Sequence, residues 1–181
     1  GFFPMSERCL LPKVLVGYLT IWLFAILVRF LYLWQIRDSP MFDLLLGDAQ
    51  SYDAWARQIA TGDWLGESVF YQAPLYPYFV GLIYATVGPS SFAAIVVQMV
   101  LGSVSCVILT AAIGLWYSNR VALVSGFLLA VYPSVIFSEA LIQKSVLDIA
   151  FLSGLLFTLG RAAREVQLNQ TENQCQGSSR R

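Results

Sequence analysis

Residues 14–36 read VLVGYLTIWLFAILVRFLYLWQI, an apolar run interrupted by one charge, Arg29. A bilayer core about 30 Å thick is crossed by about 20 apolar residues in a helix. The run reaches that length, exceeds a signal-peptide core and ends in Trp34-Gln35-Ile36 rather than in small cleavage-site residues, so it should stay in the membrane. Working outward, residues 92–115, 121–137 and 141–159 are apolar on the same scale. The expected fold is all-α, a polytopic membrane protein with about four spans. Its membrane module takes up residues 1–165, and a large loop, residues 38–90, separates the first span from the second.

The composition agrees. Of the chain, 57% is hydrophobic and 12% charged, against about 25% charged in soluble domains, and mean hydropathy is +0.66. Formal net charge is zero, with no basic cluster beyond Arg180-Arg181, so nothing favours nucleic acid through counterion release. Histidine is absent, which excludes a Ser-His-Asp triad or a His-based zinc site within this chain. Cys9, Cys106 and Cys175 have neither metal spacing nor an even number; Cys106 reads as a small packing residue.

Basic residues of short loops mark the cytoplasmic side. Arg8 and Lys13 precede the first span, Arg120 sits between the second and third, and Arg161 and Arg164 follow the fourth. All fall on one side. The loop on the other carries Asp38, Asp43, Asp48, Asp53, Asp63 and Glu67 against Arg57. Both termini are therefore expected in the cytoplasm and the acidic loop outside. The tail, residues 166–181, is polar and poor in aromatics and is expected to be disordered. The chain starts at Gly1 and ends soon after the fourth apolar run, which reads as part of a longer polypeptide.

Residues 47–81 of the loop read GDAQSYDAWARQIATGDWLGESVFYQAPLYPYFVG. Tyr52, Trp55, Ala56 and Ile59 recur at i, i+3, i+4, i+7, the spacing of one helical face, with Gly47 and Asp48 at its start and Gly62 at its stop. Asp48 at that start could serve only the positive helix end; Asp53 and Arg57 could be only a helical ion pair. Pro74 allows a second helix to begin, and the aromatic run from Tyr76 to Val87 suits the membrane interface.

Charges inside the spans concern Arg29, Glu139, Lys144 and Asp148. Such groups usually face the bundle interior. Lys144 and Asp148 are four apart and could neutralise each other. Arg29 lies about 11 Å below the outer end of its span and Asp148 about 13 Å below Glu139 at 1.5 Å per residue, so Arg29 and Asp148 are predicted to form a structural pair.

Taken together, Arg29, Gly47-Asp48-Ala49 with Tyr52-Asp53 and Trp55-Ala56, Gly62-Asp63-Trp64, and Phe70 followed by Ala73-Pro74-Leu75-Tyr76-Pro77 resemble the N-terminal portion of multi-pass GT-C glycosyltransferases. The likeness is closest to glycosyltransferase family 39, which includes protein O-mannosyltransferases and aminoarabinose transferases, and it covers roughly residues 11–159. It implies transfer of a sugar from a polyprenyl-phosphate-linked donor, in the membrane lipid, to an acceptor on the non-cytoplasmic face. Asp48 would be the catalytic base, with Tyr52, Asp53, Glu139 and Lys144 as substrate-binding residues. Lys144 would meet the lipid phosphate, a reading that stands beside its ion pair with Asp148. A divalent metal is compatible with the resemblance, with Asp48 or Glu139 as ligand. Family members carry more spans, so this chain alone is expected not to enclose a complete active site. The alternative is a non-catalytic four-span protein, an assembly subunit or transporter fragment, whose acidic loop binds a partner.

Overall fold

The computed structural model describes residues 6–37, 45, 47–65 and 73–179, with side chains between 14 and 170. Asp38, Asp43, Glu67 and Phe70 lie outside the described residues. Among the described residues seven helices follow in order: α1 (Ser6–Ile36), α2 (Asp48–Ala60), α3 (Leu75–Val87), α4 (Ser91–Trp116), α5 (Asn119–Ala130), α6 (Pro133–Glu139) and α7 (Ser145–Ser179). Three stretches, Val14–Ile36, Ser91–Trp116 and Ser145–Gln170, are long and apolar enough to cross a membrane, and α5 with α6 makes a fourth that is bent by 52°.

The bundle alternates. Leu33 of α1 packs with Ile95 and Met99 near the start of α4, while Ile21 and Ala25 meet Cys106 further along it. Helix α5 returns beside α4, with Gly126 opposite Thr110. Helix α7 then runs in the direction of α4, because Gly160 meets Leu115 and Trp116 at the α4 end. The span start at Val14 and the Arg161 region thus share the end opposite α2 and α3. Leu19, Leu23 and Leu27 of α1 and Phe151, Leu152 and Leu155 of α7 are exposed on the bundle surface, as lipid-facing positions should be.

The loop helices match their sequence signals. Helix α2 starts at Asp48 and ends before Gly62, whose φ of 101° suits glycine. Pro74 precedes α3, and the Ser90 hydroxyl accepts from the Ala93 N–H at 3.3 Å to cap α4.

Three boundaries are corrected. The run 121–137 is not one straight helix: Pro133 has no N–H and disfavours a helical Tyr132, whose ψ is 110°. The last span does not begin as a helix at 141, since residues 140–144 form an irregular link between α6 and α7. The tail expected to be disordered is helical as far as Ser179. It carries four Gln and extends an existing helix, so it avoids the nucleation step that makes short helices marginal.

Close approach at Gly126 is the tightest point of the α1–α4–α5 core: a Cβ there would lie 2.0 Å from Thr110 Oγ1 and 3.0 Å from Ile21 Cδ1. Gly126→Ala is expected to destabilise the bundle by about 1–3 kcal/mol. Gly154→Ala, where nothing lies within 4 Å of the added carbon, should be neutral or stabilising by up to about 1 kcal/mol. Thermal unfolding of the two variants in one detergent checks the contrast.

Candidate active site

Arg29 is 1% exposed, in the middle of the bundle. Its partner is Glu139, not Asp148. Arg29 Nε donates to Glu139 Oε2 at 2.6 Å and Nη2 to Oε1 at 2.9 Å, a two-pronged pair. Nη1 also reaches the carbonyls of Ala25 at 3.3 Å and Ala130 at 3.5 Å, and Nη2 the Cys106 sulfur at 3.8 Å. The predicted pair with Asp148 assumed an unbroken helix from Glu139 to Asp148, whereas the 140–144 link changes both depth and facing. Glu139 fits because Gly102 has no side chain: a Cβ there would sit 2.1 Å from Oε1. With both oxygens on Arg29 and no exposure, Glu139 is not placed to bind metal or acceptor.

Gln98, which the sequence reading passed over, is also fully buried. Its Nε2 donates to the carbonyls of Glu139 and Leu141, each at 3.1 Å, and its Oε1 accepts from the Tyr76 hydroxyl. A neutral amide among apolar residues of a span was the available signal, since an unsatisfied polar group there costs several kcal/mol.

Helices α2 and α3 pack on this end of the bundle. Ala49, Tyr52, Ala56, Tyr76, Val80 and Tyr84 form one cluster with Ala94, Ile142, Val146 and Leu147. Tyr52 and Tyr76 meet edge to face at 4.8 Å. Asp53, expected beside a substrate, is engaged within the loop instead: Oδ2 accepts from Arg57 Nε at 2.7 Å and Oδ1 from the Tyr84 hydroxyl at 2.6 Å. This clamps α2 to α3. Arg57 also lies over the Tyr84 ring at 5.7 Å.

Where α2 meets the start of α7, Asp48, Tyr52 and Asp148 come near one another. The first two are one turn apart on α2, and Asp148 stands in the first turn of α7. Burial pushes the Tyr52 phenol above its usual range, and the charges of Asp48 and Asp148 push it the same way. Tyr52 is 4% exposed, and its hydroxyl has no hydrogen-bond partner among the described residues. Both aspartates are exposed. Lys144, just ahead of α7, is exposed as well and makes no ion pair with Asp148, so that reading of Lys144 is set aside. Among the described residues no three Cys, Asp or Glu gather to hold a metal, and Glu139 is committed to Arg29.

Two predictions follow from these contacts. Removing one partner of the buried pair, by Arg29→Met or Glu139→Gln, should cost about 3–5 kcal/mol, while Arg29→Met with Glu139→Met together should recover much of it. Asp148→Asn should leave unfolding unchanged; a double-mutant cycle in detergent reads all of these. Burial and the Asp53 bond push the Tyr84 phenol up to about 12, above the ordinary value of about 10. Its contribution to stability is thus fully present below the ordinary value and lost as pH rises through the folded one. Difference titration against Tyr84→Phe should show a late-ionising tyrosine that moves down in Asp53→Asn.

A family model described as dolichyl-phosphate-mannose-protein mannosyltransferase matches residues 71–171, more than half of the chain. The match takes in Gln98, Glu139, Lys144 and Asp148, while Arg29 and helix α2 lie ahead of it. No curated relative and no solved structure matches.

Proposed function

The chain belongs to the dolichyl-phosphate-mannose-protein mannosyltransferase family, and from that premise we propose that it serves transfer of a sugar from a polyprenyl-phosphate carrier to a hydroxyl acceptor on the non-cytoplasmic side of the membrane. The observation that carries this reading is Tyr52. It is buried, its hydroxyl has no hydrogen-bond partner among the described residues, and the charges of two carboxylates a hundred residues apart in sequence, Asp48 and Asp148, act on it.

In the proposed reaction the acceptor oxygen attacks the anomeric carbon as its proton passes to the Asp48 carboxylate. The bond from that carbon to the carrier phosphate breaks, and the phosphate leaves with the electron pair. Lys144 and the first turn of α7 then face the departing charge. The Tyr52 hydroxyl supplies a donor for a sugar or acceptor oxygen, and Asp148 holds a second hydroxyl by accepting from it. No step needs a metal. Both termini on the cytoplasmic side, with α2 and α3 outside, agree with the basic residues at the Arg161 end.

The test is Asp48→Asn in the longest polypeptide encoded around these residues, in proteoliposomes supplied with polyprenyl-phosphate mannose and a hydroxyl acceptor. Transfer should fall by about 100-fold or more, with the unfolding temperature unchanged. Lys144→Ala should weaken use of the donor, raising its KM. A chain whose loop only binds a partner would show no transfer to lose, and neither substitution would matter.

A further inference from the structure

Gln98 joins the two halves of this site. Its Oε1 takes the Tyr76 hydroxyl of α3, and its Nε2 holds the carbonyls of Glu139 and Leu141 at the link between α6 and α7. One orientation of the amide satisfies all three bonds, because an oxygen cannot donate to the two carbonyls. On one side, Tyr76 stacks edge-on against Tyr52, and α3 is clamped to α2 through Tyr84 and Asp53. On the other, Leu141 is followed within a few residues by Lys144 and Asp148.

Beside the apolar packing of Tyr52, Tyr76 and Val80 with Ile142, Val146 and Leu147, one amide that is 0% exposed ties α3 to the α6–α7 link by directed bonds. We infer that Gln98 is a positioning residue, setting the register of α3 against the α6–α7 link and thereby the spacing of Asp48 and Tyr52 from Lys144 and Asp148. Its consequence for turnover rests on the transferase reading; its mechanical part does not. Gln98 touches no substrate in this role. Misplacement of about 1 Å is enough to cost about 100-fold in rate, so its effect should fall on kcat rather than on donor binding.

The experiment uses the full chain in proteoliposomes and compares Tyr76→Phe, Gln98→Leu and the double variant. Tyr76→Phe keeps the ring and removes only the oxygen, which is bonded to Gln98 and also meets the Gln143 backbone N–H. Amide hydrogen exchange of residues 75–87 and 141–148 is followed beside kcat and KM for polyprenyl-phosphate mannose. Tyr76→Phe is expected to speed exchange in both segments while residues 105–130 stay protected, and to add nothing to the exchange of 141–148 in the Gln98→Leu background, which separates the route through Gln98 from the hydroxyl's own approach to the Gln143 backbone. Its kcat should fall about 10- to 100-fold with donor KM within about twofold, and the double variant should lose no more than Gln98→Leu alone. Faster exchange confined to 75–87, or losses that multiply in the double variant, would overturn the inference. If the longest polypeptide encoded around these residues transfers no sugar but Tyr76→Phe opens both segments and adds nothing to Gln98→Leu, the coupling stands and the transferase reading falls. If wild type transfers sugar and both single variants keep its kcat, the reverse holds.

Discussion

A backbone carbonyl that leaves a helix at membrane depth has no water to turn to, and the structure depends on how this chain meets that requirement. The bundle breaks twice between α5 and α7. At the first break the Ala130 carbonyl receives an N–H of Arg29, and at the second the carbonyls of Glu139 and Leu141 receive the amide of Gln98. Each donor is fully enclosed, and each has a second duty that holds it in place: Arg29 to the Glu139 carboxylate, Gln98 to the Tyr76 hydroxyl. Both breaks are therefore fixed bends.

The fixed bends give a short external structure something rigid to stand on. Helices of thirteen residues such as α2 and α3 are marginal alone, and here they gain stability from packing. The Asp53 clamp makes them one unit, and Tyr52, Tyr76 and Tyr84 press that unit onto Ala94, Ile142 and Val146. The proposed site, drawn from α2 and the first turn of α7, would inherit this rigidity. Chemistry that depends on placing a carboxylate within hydrogen-bond reach of an incoming hydroxyl needs such support.

Much of this could be read in the residues. Apolar length located the spans, and the aspartate start, the glycine stop and the proline entry located α2 and α3 within a residue or two. The partner of Arg29 could not be found that way. Depth arithmetic treated residues 139–148 as one helix, and the link after Ala140 puts Asp148 beside Tyr52 while Glu139 turns inward. Gln98 was missed because an uncharged amide leaves no mark on charge counting, though in an apolar span it obliges partners as firmly as an ion does. The tail shows the opposite error: low hydrophobicity argued against tertiary packing, yet helix continuation needs only propensity and a helix already begun.

Charge pairing also narrows what can meet a lipid phosphate. Arg29 is spent on Glu139 inside the bundle and Arg57 on Asp53 in the loop. Lys144 differs in three respects: it is exposed, it makes no ion pair among the described residues, and it stands at the positive end of α7. An ammonium on a flexible stem suits a phosphate that must arrive, react and leave, because it follows the charge without demanding one geometry. Asp148, one turn further on, keeps its oxygens for hydroxyl donors only if Lys144 stays away from it, and a bound phosphate would draw Lys144 away. The separation of those two residues, which a solitary i, i+4 pair would not maintain, is what the proposed donor would stabilise.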